Sequence, residues 1–427
     1  MAFCATRILS ASFLAMWKVL LNTMKIRSIT YFCNPGWPLE EKKLRSAGAF
    51  LAEAKAAFEE AGCEVQSIRL ATVPFPHLLG EKNLDKTPEL ARTLGLLLPE
   101  IGVSYAALGP ALPELPGSYP VIPEAIAASQ NIFFSAVMAD APRGLSLEAV
   151  QACANIIVRS APLESHGFAN LYFAALAHVP PGVPFFPAAY HEGETPAFAI
   201  ATEAADLAVE AFEDARSIED GRRALVAALE EKARLLTKVA DFLKYKFMLK
   251  FGGIDYSLAP FPQESKSLGA AFERMGVPRI GLHGSLAAAA ILTESIQRAN
   301  FPRCGFSGLM MPVLEDAVLS KRAADGTLSV KDLLLYSAVC GTGLDTVPLP
   351  GDVTADQIAA LLLDLSALAL RLDKPLTARL MPIPGKKAGD ETNFAFDYFA
   401  NSRVMSLEAE PLGKALGGEE TFTIQSR

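Results

Sequence analysis

Cysteine is sparse and scattered in this chain of 427 residues. The six, Cys4, Cys33, Cys63, Cys153, Cys304 and Cys340, form no C-x-x-C pair. Neither a disulfide framework nor a zinc ribbon is spelled out, and a reducing, cytoplasmic setting is expected. Basic residues fall short of acidic ones, 39 Lys and Arg against 47 Asp and Glu for a net charge of -8, and no Lys/Arg block stands out. The electrostatic footprint of a nucleic-acid partner is therefore missing. No apolar run reaches the ~18 residues of a membrane span, since the richest, 358–370, contains Asp364. Histidine numbers only five, and no two have the spacing of a helical zinc site.

Cofactor motifs are wanting as well. Cys304-Gly305-Phe306-Ser307-Gly308 lacks the last glycine of a hydrolase nucleophile elbow. Cys340-Gly341-Thr342-Gly343-Leu344-Asp345 has Thr346 where a dinucleotide fingerprint needs glycine, and it follows a helix-like pattern instead of a strand. Pro384-Gly385-Lys386-Lys387 misses the glycine-to-lysine spacing of a P-loop. No organic cofactor is implied.

What is present is a globular composition, 51% hydrophobic and 20% charged, with short β-branched runs alternating with Ala/Leu-rich helical patterns. Residues 1–23 carry Arg7 and Lys18, no acid, and an apolar stretch broken by Ser10 and Ser12. They make a poor leader and read as a non-native or disordered extension ahead of Met24, where translation is expected to start. Residues 24–427 read as one α/β domain, with the Pro-rich passage 180–187 as the joint between two halves. Strands are expected at 25–32, 64–70, 131–137, 251–258, 279–282, 306–312, 345–349 and 375–383, with helices at 39–61, 147–158, 221–249, 267–275, 285–298, 315–323, 330–339 and 354–372. Repeated strand-helix units imply parallel pairing with right-handed crossovers, which leaves a barrel or a doubly wound sheet.

Both architectures bind ligands at the carboxyl ends of strands, so the turns there carry the candidate chemistry. Gly281-Leu282-His283-Gly284-Ser285 leads into a helix: Gly284 permits a tight turn, Ser285 is a favoured N-cap, and the free N–H groups suit an anion. His283 stands at the rim as a general acid/base, and His191, in a glycine-containing turn beside Glu192, is a second candidate. Asp255, Glu315, Asp316 and Asp345 recur near strand ends. Asp255 would orient His283, while Glu315, Asp316 and Asp345 could hold a divalent cation such as Mg²⁺ or Ca²⁺. Thr354-Ala355-Asp356-Gln357 fits a capping box. Arg379 and Lys386 could clamp a carboxylate or phosphate, with Ser307 and Gly308 also at the ligand.

Together, Phe251 to Pro260, His283-Gly284, Phe306-Ser307-Gly308, Pro312 with Glu315-Asp316, Gly343-Leu344-Asp345, and Pro382-Ile383-Pro384-Gly385-Lys386 with Gly389-Asp390 resemble the family called domain of unknown function 711. The resemblance implies a ten-stranded α/β barrel of the pyruvate formate-lyase-like fold. It brings no reaction with it, because a fold does not fix a function. Ser402-Arg403-Val404-Met405-Ser406 stands where a radical-glycine motif would be, and no adjacent cysteine pair exists, so glycyl-radical chemistry is not expected. The expected function is a hydrolase or lyase acting on a small anionic metabolite. The alternative is a non-catalytic ligand-binding or regulatory protein using the same pocket, with no membrane or nucleic-acid partner and the oligomeric state, a homo-oligomer included, left open.

Overall fold

Alternation of side chains along the strands decides where the site can form. The computed structural model describes residues 24–427, so the expectations for residues 1–23 lie outside the described residues. One sheet holds β1 Lys25–Cys33, β2 Glu64–Val65, β3 Ile68–Thr72, β4 Tyr105–Ala111, β5 Ile132–Asp140, β6 Gly144–Ser146, β7 Phe173–Ala177, β8 Ala197–Glu203, β9 Lys250–Ala259, β10 Gly343–Pro350, β11 Leu376–Ile383 and β12 Thr421–Phe422. Its main path runs β10, β11, β7, β5, β4, β3, β1, β8, β9. Strands β7, β5, β4, β3 and β1 are parallel to one another. The pairs β8 with β9 and β10 with β11 are each parallel and run against that group. The sense of the sheet thus reverses between β7 and β8, across the Pro-rich passage.

The fold is mixed α/β with a large, mostly parallel sheet. The path of paired strands is open, with β9 and β10 as its edges. Segment 302–312 meets both edges through isolated parallel bridges, Ile254 with Arg303 and Pro312 with Asp345. The strand expected at 306–312 is irregular because Gly305 and Ser307 adopt positive φ, and the backbone N–H groups of Phe306 and Ser307 turn to a side chain, Asp255. The strand expected at 279–282 is a turn; Gly281 has φ +102, and a Cβ there would lie 1.8 Å from the Thr327 carbonyl. Strands β4, β6, β7, β8 and β12 were not foreseen.

One face of the sheet is apolar and covered by helices. Ile26, Ile29, Leu70, Ile200, Ile254 and Leu344 all join the same buried cluster. The helix Ile218–Phe247 lays Leu225, Leu229, Ala233, Leu236, Ala240 and Leu243 on that cluster, at three- and four-residue steps. Ser217 caps its start by accepting from the Asp220 N–H, a contact worth ~1 kcal/mol. Helix Ala355–Arg371 begins with the expected capping box of Thr354 and Gln357. Among the described residues, no helix is long and apolar enough to cross a membrane.

The opposite face is where polar residues collect. In β3, Ile68 and Leu70 point to the helices, so Arg69 and Ala71 point the other way. Parity likewise sends Asp255 and Ser257 of β9 and Arg379 of β11 to the inner face, since Ile254, Tyr256, Leu258, Ala378 and Leu380 take the outer one. In β1 the register shifts between Ile26 and Ser28. Such a bulge re-aims side chains, and both Arg27 and Ser28 reach the inner cavity.

Candidate functional site

The inner face encloses a cavity of about 260 Å³. Its walls come from the amino ends of β1, β3, β4 and β5 and from the carboxyl ends of β8 and β9, because the two groups of strands run in opposite senses. Arg27, Arg69 and Arg379 stand on its wall together with Asp255 and Glu315. Loop residues Phe185 and Phe186 lie under two of the guanidiniums, Phe185 at 5.6 Å from Arg379 and Phe186 at 5.0 Å from Arg69. Phe133 packs on Phe186, Tyr105 and Tyr172, with centroid distances of 5.4, 5.6 and 5.1 Å. From the C-terminal segment, Phe396 packs on Phe168 and Tyr398 on Phe261, and both Phe396 and Tyr398 line the mouth.

Charges in this cavity are unevenly matched. Arg379 donates through Nε to Asp345 at 2.6 Å and through a terminal nitrogen to Glu315 at 2.8 Å. Glu315 also binds Arg27, which donates in addition to the Pro260 carbonyl at 3.1 Å. Burial disfavours the Arg379 cation, yet Asp345 and Glu315 carry its pKa above the ordinary value. Burial pushes Asp345 up despite its partner Arg379. Among the described residues Arg69 has no carboxylate partner. It donates through Nε to Ser67 Oγ at 2.9 Å, and neither terminal nitrogen makes a hydrogen bond to the described residues. Burial, with some repulsion from Arg27, pushes its guanidinium down to about 9, which still leaves it a cation at neutral pH.

Asp255 does a different job from the one expected. Its Oδ1 accepts from the Ser257 N–H and hydroxyl and from the Ser307 N–H at 2.9, 2.6 and 3.0 Å, and its Oδ2 accepts from the Phe306 N–H at 3.1 Å. It staples segment 302–312 to β9. Burial raises its pKa against the pull of these four bonds. A Cβ on Gly305 would lie 2.1 Å from Oδ2, so glycine is required for that approach. Ser307 and Gly308 belong to the same staple: the Ser307 hydroxyl donates to the Cys304 carbonyl at 3.0 Å, and the Gly308 N–H donates to Ser257 Oγ at 3.4 Å.

The structure thus brings Asp255, Glu315 and Arg379 to one cavity, with Asp345 behind Arg379. His283 is not among them: it is exposed in the loop before helix Ser285–Arg298 and does not line the cavity. Gly284 occupies the N-cap position with φ +105 and Ser285 is the first helical residue, its hydroxyl donating to the Leu282 carbonyl at 2.7 Å. That helix start closes its own loop. His191 is buried against Phe32, with its backbone N–H on the Thr72 carbonyl, its Nε2 unpartnered and its pKa lowered by burial; it too lies off the cavity wall. Lys386 sits in the turn after β11, where its carbonyl accepts from the Gly351 N–H.

Glu315, Asp316 and Asp345 do not converge as metal ligands. Asp316 caps helix Ala317–Ala324 through the Val318 and Leu319 N–H groups and accepts from Ser267, Leu268 and Gly269 besides, while the other two grip arginines. Among the described residues, no group of three or more His, Cys, Asp or Glu is disposed to hold a metal ion. Sequence reasoning missed Arg27 and Arg69. For Arg69 the available signal was a lone arginine between Ile68 and Leu70 of a largely apolar strand; Arg27, in a strand that also carries Lys25, Ser28 and Thr30, offered none.

An α/β protein with a buried arginine and carboxylate cluster on the inner face of a large sheet is the class these observations define. Within it, the chain belongs to the family described as Uncharacterised ACR (DUF711), whose profile matches residues 19–402. It is similar to the UPF0210 protein of Desulforudis audaxviator, 30% identical over 377 residues, which cover 83% of this chain and 82% of that one. It is 35% identical to the UPF0210 protein of Pyrobaculum arsenaticum over 277 residues, and 36% identical to that of Pyrobaculum aerophilum over 255 residues. These two alignments take in 62% and 58% of this chain but only 60% and 56% of the relatives' own length.

Proposed function

We propose that the protein binds a small anionic metabolite in the cavity at Arg69. The observation that carries this reading is the guanidinium of Arg69 on the cavity wall, without an ion-pair partner among the described residues and with both terminal nitrogens uncommitted. The guanidinium is half-buried with no anion beside it among the described residues, and a ligand anion would gain charge-assisted hydrogen bonds there. A volume of about 260 Å³ lies just below the ~300–1,000 Å³ of sites for larger ligands, which suits a metabolite of modest size.

Closure of the sheet into a ten-stranded barrel through segment 302–312 belongs to the same proposal. The bridges at Arg303 and Pro312 support it, as does the Asp255 staple that holds the segment in place. In the enzymatic form of the reading, Arg69 and Arg27 stabilise negative charge developing on a bound carboxylate substrate, as in a lyase. His283, expected as the general acid/base of the hydrolase and lyase forms alike, does not line this cavity. In the binding form, the same pocket reads a metabolite level without turnover. The five cysteines among the described residues are free, which suits the cytoplasmic setting we assign to the protein.

The test is a thermal-shift screen of carboxylates and phosphates on the full chain and on Arg69→Gln. A ligand at 100 times its dissociation constant should stabilise the parent by ~2.7 kcal/mol and leave the variant unshifted. Equal stabilisation of both proteins would refute the site. Proton NMR of the hit then separates the two forms, because an enzyme converts it and a sensor does not.

A further inference from the structure

We propose that the ligand is a monoanionic aromatic carboxylate, held by the terminal nitrogens of Arg69 and the hydroxyl of Ser28. This rests on the reading of the cavity as an anion site and narrows it to one chemical class. Charge sets the first limit. Arg379 is already engaged by Asp345 and Glu315, and Arg27 by Glu315, so Arg69 is the arginine on this wall without an ion-pair partner among the described residues. A phosphate dianion would bring a second negative charge against Glu315 and Asp255 with no further cation to meet it. One carboxylate, in contrast, matches the planar fork of a guanidinium with two parallel hydrogen bonds.

Two polar observations on the wall of this cavity support the proposal. The bond from Arg69 Nε to Ser67 fixes the orientation of the guanidinium and leaves its far edge for the ligand. Ser28 lines the same cavity, is fully buried, and its Oγ has no hydrogen-bond partner among the described residues. A buried hydroxyl without a partner is costly, and a carboxylate oxygen would satisfy it. The body of the ligand is set by Phe133, Tyr172 and Phe186, whose rings are mutually tilted or edge-on. Such a wall favours a flat ring through edge-to-face contacts over an aliphatic body of equal size.

Isothermal titration of the full chain with benzoate, cyclohexanecarboxylate and phenyl phosphate tests the proposal. Benzoate should bind at least about tenfold more tightly than either of the others, the ratio that ~1.4 kcal/mol corresponds to. Arg69→Gln should weaken benzoate about tenfold or more, and Arg69→Lys should lie between, since it keeps the charge and loses the fork. Ser28→Ala should weaken benzoate without changing the order of the three probes. Far-UV circular dichroism and melting temperature check that each variant is folded, and Arg69→Lys stands in if Arg69→Gln is not. Binding of cyclohexanecarboxylate or phenyl phosphate as tight as that of benzoate, and lost in Arg69→Lys, would overturn the aromatic monoanion and leave the anion site standing. Absence of any binding that the Arg69 variants alter would overturn both.

Discussion

Replacing Arg379 by alanine should destabilise the fold well beyond what one side chain on a cavity wall would suggest. The side chains of Arg379, Glu315 and Asp345 are only 7%, 6% and 4% exposed, and the guanidinium bridges both carboxylates. Removing it leaves Glu315 with Arg27, but it strips Asp345 of its ion-pair partner, and Asp345 Oδ2 already lacks a hydrogen bond. Breaking a buried pair on one side costs ~3–5 kcal/mol, because an uncompensated charge stays in the interior. With ~2.1 cal/mol/K of unfolding entropy per residue, that corresponds to a fall in Tm of roughly 3–6 °C for a chain of this length. Thermal and urea unfolding of parent and variant measure it. The pH dependence gives a sharper check. Burial already holds Asp345 above its ordinary 3.8, and loss of Arg379 raises it further. A carboxyl whose folded pKa exceeds its unfolded one binds an extra proton in the folded state between those two values, so relative stability rises as pH falls through that window. The deficit of Arg379→Ala should therefore shrink from pH 8 to pH 5, and Asp345→Asn in the same background should recover at least ~1 kcal/mol. A loss below ~1 kcal/mol, or a deficit that grows on acidification, would refute the buried-pair account.

Asp255→Asn should cost ~2 kcal/mol or more in urea unfolding, since four donors lose a charged acceptor; an unchanged midpoint would dissolve the staple. Gly305→Ala should be at least as damaging through the 2.1 Å clash with Asp255, and a stable variant would show that the loop can yield. His283→Ala should stay within ~0.5 kcal/mol of the parent and bind ligand unchanged, whereas a tenfold loss of affinity would return His283 to the site. Burial pushes Asp206 up to about 6 from 3.8, so its charged form weighs against the fold above pH 6. Asp206→Asn should be the more stable protein at pH 8, with the difference vanishing toward pH 4; a constant difference would contradict that ionisation.

The amphipathic helices were legible because their signals are local. Leu225, Leu229, Leu236 and Leu243 repeat at helical spacing, and Thr354 with Gln357 spells a capping box that the structure forms. Asp255, Glu315 and Asp345 could be singled out because each stands at or near the end of an expected strand, and Arg379 because it lies within the last one. Their roles could not be read in the same way. Whether Asp255 serves a histidine or the N–H groups of Phe306 and Ser307 depends on where a segment some fifty residues later is laid down. The misplacement of His283 has a related cause: a loop before a helix looks the same in sequence whether its helix start faces the cavity or the solvent.

Sequence by itself determined the class of the protein, its main helices, and the family resemblance carried by segments such as Phe251 to Pro260 and Gly343-Leu344-Asp345. Those features depend on residues within one or two turns of each other, or on motifs copied as units. Tertiary structure alone decided that β8 runs against β1, that a register shift turns Arg27 inward, and that Arg69 meets the cavity without a carboxylate. Pairing across the sheet joins residues far apart in the chain, and a single bulge changes which face a side chain takes. A chain whose acids outnumber its bases therefore holds, in the folded protein, two carboxylates shared by two arginines and a third arginine without a carboxylate partner among the described residues.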